Sequence, residues 1–349
     1  MGRKRNQYLD VIKAICMILV VVGHCLQYGS GDDYFSEARY FDNPVFAFIY
    51  SFHMPLFMLI SGYLFAESLK NKKWNEVLLS KAKQLLVPLL CWSTVSLAIR
   101  IIKSLTGMSE ETVSVVWAVK NLISGFVYGP WFLWAIWWCS VVIILVRRLF
   151  KDHLLVYIAG SLLTLVIPDA LNLSLYKYMW PFFLLAYLFN QYDLKTKWKK
   201  VYSHKVFVLG CMILFCVLLL FYNRECYIYI SGFTVLNKDA IRQVSIDGFR
   251  FLVGLAGSIG VMYLVYALMK VLPDAVKEIL AYIGRNTLGI YVISGYFFAE
   301  LLPKITAPLQ SVNGWYLAVE TVCILGMSVL LTAVLKKTKV TNRLFLGGR

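Results

Sequence analysis

Residues 8–25 read Tyr8-Leu9-Asp10-Val11-Ile12-Lys13-Ala14-Ile15-Cys16-Met17-Ile18-Leu19-Val20-Val21-Val22-Gly23-His24-Cys25. The run is long and apolar enough to cross a bilayer, yet it carries Asp10, Lys13 and His24. Asp10 and Lys13 are three apart and share a helical face. Lys13 and His24 are eleven apart. Eleven steps of 100° end about 20° past three full turns, so these two also share a face, roughly 16 Å apart along the axis. Ionisable groups in a membrane span are costly and are functional candidates by default. A plainer account is a capping ion pair plus a hydrogen-bonded core histidine, and the spacing alone leaves both open.

Working outward, the rest of the chain repeats this apolar character. It has 349 residues, 60% apolar and 15% charged, against about 25% charged in an ordinary soluble domain. A disordered chain, a collagen-like chain and a disulfide scaffold are excluded, and too little polar surface remains to coat a soluble enzyme. Ten apolar runs stand at 8–28, 45–66, 88–105, 130–146, 154–168, 176–190, 206–222, 249–269, 287–302 and 314–335. The expected fold is all-α, a polytopic integral membrane protein of about ten transmembrane helices, read as a single domain over 1–349 without an appended soluble domain.

Net charge is +16, from 35 Lys+Arg and 19 Asp+Glu. With both termini placed in the cytoplasm, 25 of the 35 basic residues fall in inner segments and 12 of the 19 acids in outer ones. Positive-inside bias explains the charge without nucleic acid and points to the cell membrane. The segment 109–126 is too polar to span and is read as an interfacial helix. The Met1–Arg5 start is read as the flank of a retained helix, since no small-residue cleavage site follows. Of the eight cysteines, all but Cys226 lie in apolar runs. No Cys/His cluster suggests a metal.

The second run reads Ser51-Phe52-His53-Met54-Pro55-Leu56-Phe57-Met58-Leu59-Ile60-Ser61-Gly62-Tyr63. Its Ser-Gly pair suggests close helix–helix approach. At these residues the sequence resembles the membrane acyltransferase-3 family, integral-membrane O-acyltransferases of surface glycans. The likeness is carried by Tyr8–Ile15, by Val21-Val22-Gly23-His24, and by the basic residue eleven positions before the histidine. Further along it is carried by Phe52–Phe57, Ser61-Gly62-Tyr63, Lys81-Ala82-Lys83-Gln84-Leu85-Leu86-Val87-Pro88, Trp131-Phe132-Leu133 and Ile283–Tyr291. The chain departs from the family pattern at Gln84, at Ala186 and at Ser294.

The resemblance implies transfer of an acyl group, most often acetyl, from cytoplasmic acyl-CoA to a sugar hydroxyl of an outer glycan or lipid-linked glycan. It makes His24 the catalytic base and acetyl-CoA the donor, with no metal. Asp10, Lys13, Lys81 and Lys83 are the expected donor-binding residues. His53, Ser61, Trp131, Arg250 and Glu300 are the expected acceptor-side residues, although anchoring in the interface is the commoner role for such a tryptophan. Asp247 and Arg250, three apart, also read as a simple ion pair. Histidine suits base catalysis because its ordinary pKa lies near neutrality. Whether His24 acts as a general base or is itself acylated stays open, with the direct route the simpler. A carrier for a glycan precursor and a succinyl donor are the rival readings.

Overall fold

The computed structural model describes residues 6–29, 36–194, 205–236, 239–298, 302 and 314–348. Every regular element among them is helical. In chain order the helices are α1 (Gln7–Tyr28), α2 (Pro44–Asn71), α3 (Trp74–Leu105), α4 (Val115–Tyr128), α5 (Trp131–Phe150), α6 (Leu154–Leu163) and α7 (Leu173–Gln191). They continue as α8 (Lys205–Leu219), α9 (Ala240–Val271), α10 (Asp274–Arg285), α11 (Thr287–Tyr296), α12 (Gly314–Leu335) and α13 (Lys339–Leu346). Several starts are set by local chemistry. Asn43 Oδ1 caps α2 by accepting from Val45 N at 2.9 Å, with Pro44 at the first helical position. Asp239 caps α9 by accepting from Ile241 N at 3.0 Å.

Among the described residues, six helices are long and apolar enough to cross a membrane: α1, α2, α3, α5, α9 and α12. Three more of the ten runs form shorter apolar helices, over 154–166, 205–219 and 287–296. The last run, 176–190, falls within α7, which has 19 residues but also holds Lys177, Asn190 and Gln191. The segment 109–126 yields α4, whose Val115, Val116 and Ile123 are exposed.

Helix also extends beyond the runs that sequence marks out. α3 begins at Trp74 and passes through Pro88, so the basic stretch 74–87 is the first half of a helix and not a loop. α9 begins nine residues before the apolar run it contains. α10 and α13 fill segments that sequence leaves as loops. Each of these stretches buries few residues: Val77 and Leu85 in α3, Ala281, Ile283 and Gly284 in α10, Leu346 in α13. A helix that buries so little has a low mean hydropathy even when its periodicity is sound.

α1 sits at the centre, packed against α2, α9, α10, α11 and α12. Val11, Ile12, Ala14, Cys16, Met17, Val21 and Cys25 are all buried, which is how a helix apolar on every side behaves. Two glycines allow the tightest crossings. A Cβ on Gly62 of α2 would overlap the Phe183 carbonyl of α7, and one on Gly284 of α10 would overlap the Asp10 carbonyl of α1. Gly284→Ala is therefore expected to force α1 and α10 apart and to cost about 1–3 kcal/mol, the usual range for overpacking. Thermal unfolding of the purified protein measures this, and an unchanged midpoint would contradict the contact.

Candidate active site

The face of α1 that carries Lys13 continues through Met17 and Val20 to His24, in steps of four, three and four residues. Lys13, Met17 and Val20 line a cavity of about 130 Å³. Facing them are Met54, Phe57 and Ser61 of α2, with Lys81 of α3, Phe132 of α5 and Tyr291 of α11 closing the wall. Three residues singled out from sequence, Lys13, Ser61 and Lys81, thus share one small space. Lys83 does not share it. Two residues past Lys81, it points about 200° away and is exposed.

Asp10 is almost fully buried and pairs with Lys13, Oδ1 to Nζ at 2.6 Å. A carboxylate at that depth needs a charged partner. The pair holds the ammonium at the N-terminal end of the stripe, and Lys81 is a second cation in the cavity wall, its Nζ 5.9 Å from the Phe65 ring centroid.

His24 lies one turn beyond Val20, past the far end of the cavity lining. Its Nδ1 is 3.4 Å from Gln27 Oε1, at the long end for a hydrogen bond. Its ring packs 4.9 Å from Phe298 and 5.9 Å from Tyr28. With an amide oxygen as partner, Nδ1 carries the proton and Nε2 keeps its lone pair; this tautomer is assigned from the partner. Gln27 was not legible as a site residue, although its i, i+3 spacing from His24 was the available signal.

His53 donates from Nδ1 to the Ile49 carbonyl at 2.7 Å and stands edge-on to Tyr50 at 4.9 Å. It is buried at the crossing of α1 and α2, where a Cβ on Gly23 would lie 2.8 Å from the Tyr50 ring. Glu320 of α12 approaches the end of α1: a Cβ on Gly29 would lie 2.5 Å from its Oε2. Trp131 opens α5, its ring 5.7 Å from that of Phe132 and edge-on to it. Glu300 lies outside the described residues.

Arg250 is elsewhere, 1% exposed in α9. It pairs with Asp247, donates from Nη2 to the Gly232 carbonyl at 2.7 Å, and its guanidinium lies 5.5 Å from the Tyr178 ring. Its Nε and Nη1 have no hydrogen-bond partner among the described residues. A second pair, between the buried Lys177 and the more open Asp169 at 2.5 Å, holds the same turn, because Asp169 Oδ2 also accepts from Phe233 N at 2.6 Å and Thr234 N at 3.1 Å. Asp169 lies between helices; burial raises its carboxyl pKa, but the Lys177 and backbone hydrogen bonds outweigh that, and the net shift is downward. Gly232 has φ +68, and a Cβ there would lie 2.5 Å from Asp169 Oδ2, so glycine is required on both counts.

A family model described as an acyltransferase domain matches residues 6–337, an interval that holds the α1 stripe, the cavity and all three ion pairs described above. The chain belongs to the acyltransferase-3 family. This acyltransferase is similar to the nodulation protein NolL of Mesorhizobium japonicum, 26% identical over 353 residues, covering 97% of this chain and 88% of the relative. It is also similar to NolL of Sinorhizobium fredii, 27% identical over 308 residues, covering 85% of this chain and 79% of the relative. No solved structure matches it. Family and helices together make it a multi-pass membrane acyltransferase.

Proposed function

We propose that this acyltransferase moves an acetyl group from acyl-CoA, bound at the cytoplasmic end of α1, to a sugar hydroxyl at the opposite end. In this reading the chain crosses the cell membrane ten times with both termini inside, and the acceptor is a surface polysaccharide or its lipid-linked precursor. The single observation that carries the proposal is the α1 stripe. Two cations, Lys13 and Lys81, stand at one end of a narrow apolar passage, and an imidazole oriented through Nδ1 stands beyond the other.

The chemistry follows from those parts. The CoA phosphates stay at the basic end while the pantetheine arm enters past Lys13 and Lys81. His24 Nε2 removes the proton from the acceptor hydroxyl as its oxygen attacks the thioester carbonyl. The tetrahedral intermediate then expels the CoA thiolate, which takes up the proton. The passage favours a neutral, short acyl group. Met17, Val20, Met54 and Phe57 line it beyond the lysines, and a succinyl carboxylate among them would be buried without a partner. Around His24 the acceptor side is furnished by Gln27, Tyr28 and Glu320. His53 stiffens the α1–α2 crossing, Ser61 lines the passage, Trp131 stands on the acceptor side, and Arg250 holds the outer turn there.

The test is direct. Purified protein in nanodiscs should bind acetyl-CoA and release free CoA when offered a glycan extract, in preference to succinyl-CoA. Lys13→Ala should weaken acetyl-CoA binding by about tenfold or more, as expected for losing a charged contact with phosphate. Wild-type protein that neither binds nor consumes any acyl-CoA would sink the enzyme reading and leave the carrier.

A further inference from the structure

The cavity at Lys13 and Lys81 is about 130 Å³, whereas pockets that enclose a drug-sized ligand run to roughly 300–1,000 Å³. A pantetheine arm is thin enough to thread it. The phosphoadenosine diphosphate of an acyl-CoA is not, and must rest on the protein surface beside Lys81. What lies beside Lys81 is the C-terminal helix. Residues 336–349 read Lys336-Lys337-Thr338-Lys339-Val340-Thr341-Asn342-Arg343-Leu344-Phe345-Leu346-Gly347-Gly348-Arg349, with five basic residues and no acid. All but Lys336 and Lys337 lie beyond the residues that the family model matches, and Arg343 is among those beyond it.

The helix is docked by specific contacts. Thr338 Oγ1 caps it by accepting from Thr341 N at 3.1 Å. Trp92 Nε1 of α3 donates to the Phe345 carbonyl at 3.0 Å, and the Phe345 and Trp92 rings lie 5.3 Å apart. Gly347, at φ +71, presses on α3 at Gln84, where a Cβ would lie 2.6 Å from the Gln84 carbonyl oxygen. Gln84 is three residues from Lys81, on its face of α3. Gly348 follows at φ +74, and a Cβ there would lie 3.5 Å from Arg343 Cγ. The Arg343 stem therefore lies along the glycine turn that is seated on Gln84, one helical turn from the cavity's lysine. Its guanidinium is exposed, and no ion pair among the described residues engages it.

We infer that α13 is part of the donor site, and that Arg343 binds a phosphate of the acyl-CoA nucleotide at the cavity mouth. The inference rests on the acyl-CoA reading above. Lys13 and Lys81 stand where the arm enters and meet the phosphate that leads it, and Arg343 holds a phosphate of the nucleotide that stays outside. Guanidinium suits this task, because its fork meets two phosphate oxygens at once. Gly347 and Gly348, both at positive φ, let the chain turn onto Gln84 beside the Arg343 stem.

The experiment measures acetyl-CoA and 3′-dephospho-acetyl-CoA affinity for the full chain in nanodiscs of phosphatidylcholine alone and with added phosphatidylglycerol. Arg343→Gln should weaken acetyl-CoA about tenfold in both lipids, with an unchanged unfolding midpoint, and Arg343→Lys should recover part of the loss. A smaller loss for the dephospho form assigns the 3′-phosphate; an equal loss assigns the diphosphate. Unchanged affinity in Arg343→Gln, beside a wild type that binds, would overturn the inference alone. So would a loss confined to phosphatidylglycerol nanodiscs, which would make a lipid headgroup the anion that Arg343 binds. A wild type that binds no acyl-CoA would overturn the donor reading first, and this inference with it.

Discussion

His24→Ala is expected to lower turnover by about 10²–10⁴-fold, the range for losing a general base, while acetyl-CoA still binds. The two effects separate because the residues do. Lys13 and Lys81 line the cavity and His24 stands beyond its lining. A change confined to His24 should therefore appear in kcat and leave KM for the donor nearly as it was. The ring is partly buried between Phe298 and Tyr28, so alanine also removes packing. His24→Gln keeps most of the volume and serves as the control for folding. Both variants should show the same loss of turnover if proton transfer is the role. Rapid quench of wild type with acetyl-CoA and no acceptor addresses the other route, because an acylated imidazole would accumulate there and a general base would leave the protein unmodified. Turnover of His24→Gln within about tenfold of wild type would remove His24 from the chemistry.

Why was this face of α1 legible in advance, and so much around it not? Lys13, Met17, Val20 and His24 belong to one helix, and helical periodicity is fixed by backbone geometry alone. Six runs of membrane-spanning length were legible for the same reason, since a long apolar segment has few other places to go. Lys81 and Ser61 could be picked out, but their arrival at the same cavity as Lys13 depends on how three helices cross. The α1–α2 crossing is set where Gly23 meets the Tyr50 ring, and no single helix encodes it. Sequence also hides helices that bury few residues. The first half of α3, and all of α10 and α13, have enough charge to look like loops. Lys177–Asp169 was missed because its partners stand eight residues apart, across the boundary of α7. Asp247–Arg250, three apart in one helix, was not.

Arg250→Ala is expected to destabilise the protein by about 3–5 kcal/mol, the cost of breaking a buried ion pair from one side. Asp247 is 8% exposed and, among the described residues, would keep only the Gln243 amide, 3.2 Å from each of its oxygens. The Gly232 carbonyl would lose the Arg250 donor and keep the Gln243 bond at 3.1 Å. Lys177→Met should cost less, because Asp169 would still accept from Phe233 N and Thr234 N and its side chain is 20% exposed. The double variant Arg250→Met with Asp247→Leu should recover much of the stability, since well-packed apolar residues often replace a buried pair at little cost. Thermal unfolding in detergent ranks the four proteins, and hydrogen exchange over residues 227–236 reports whether the turn opens locally before the bundle does. The order matters more than the size of any one shift. If Arg250→Ala unfolds no more readily than Lys177→Met, the guanidinium is not what holds the turn. Its two nitrogens without a partner among the described residues, Nε and Nη1, would then be better explained as donors awaiting the acceptor.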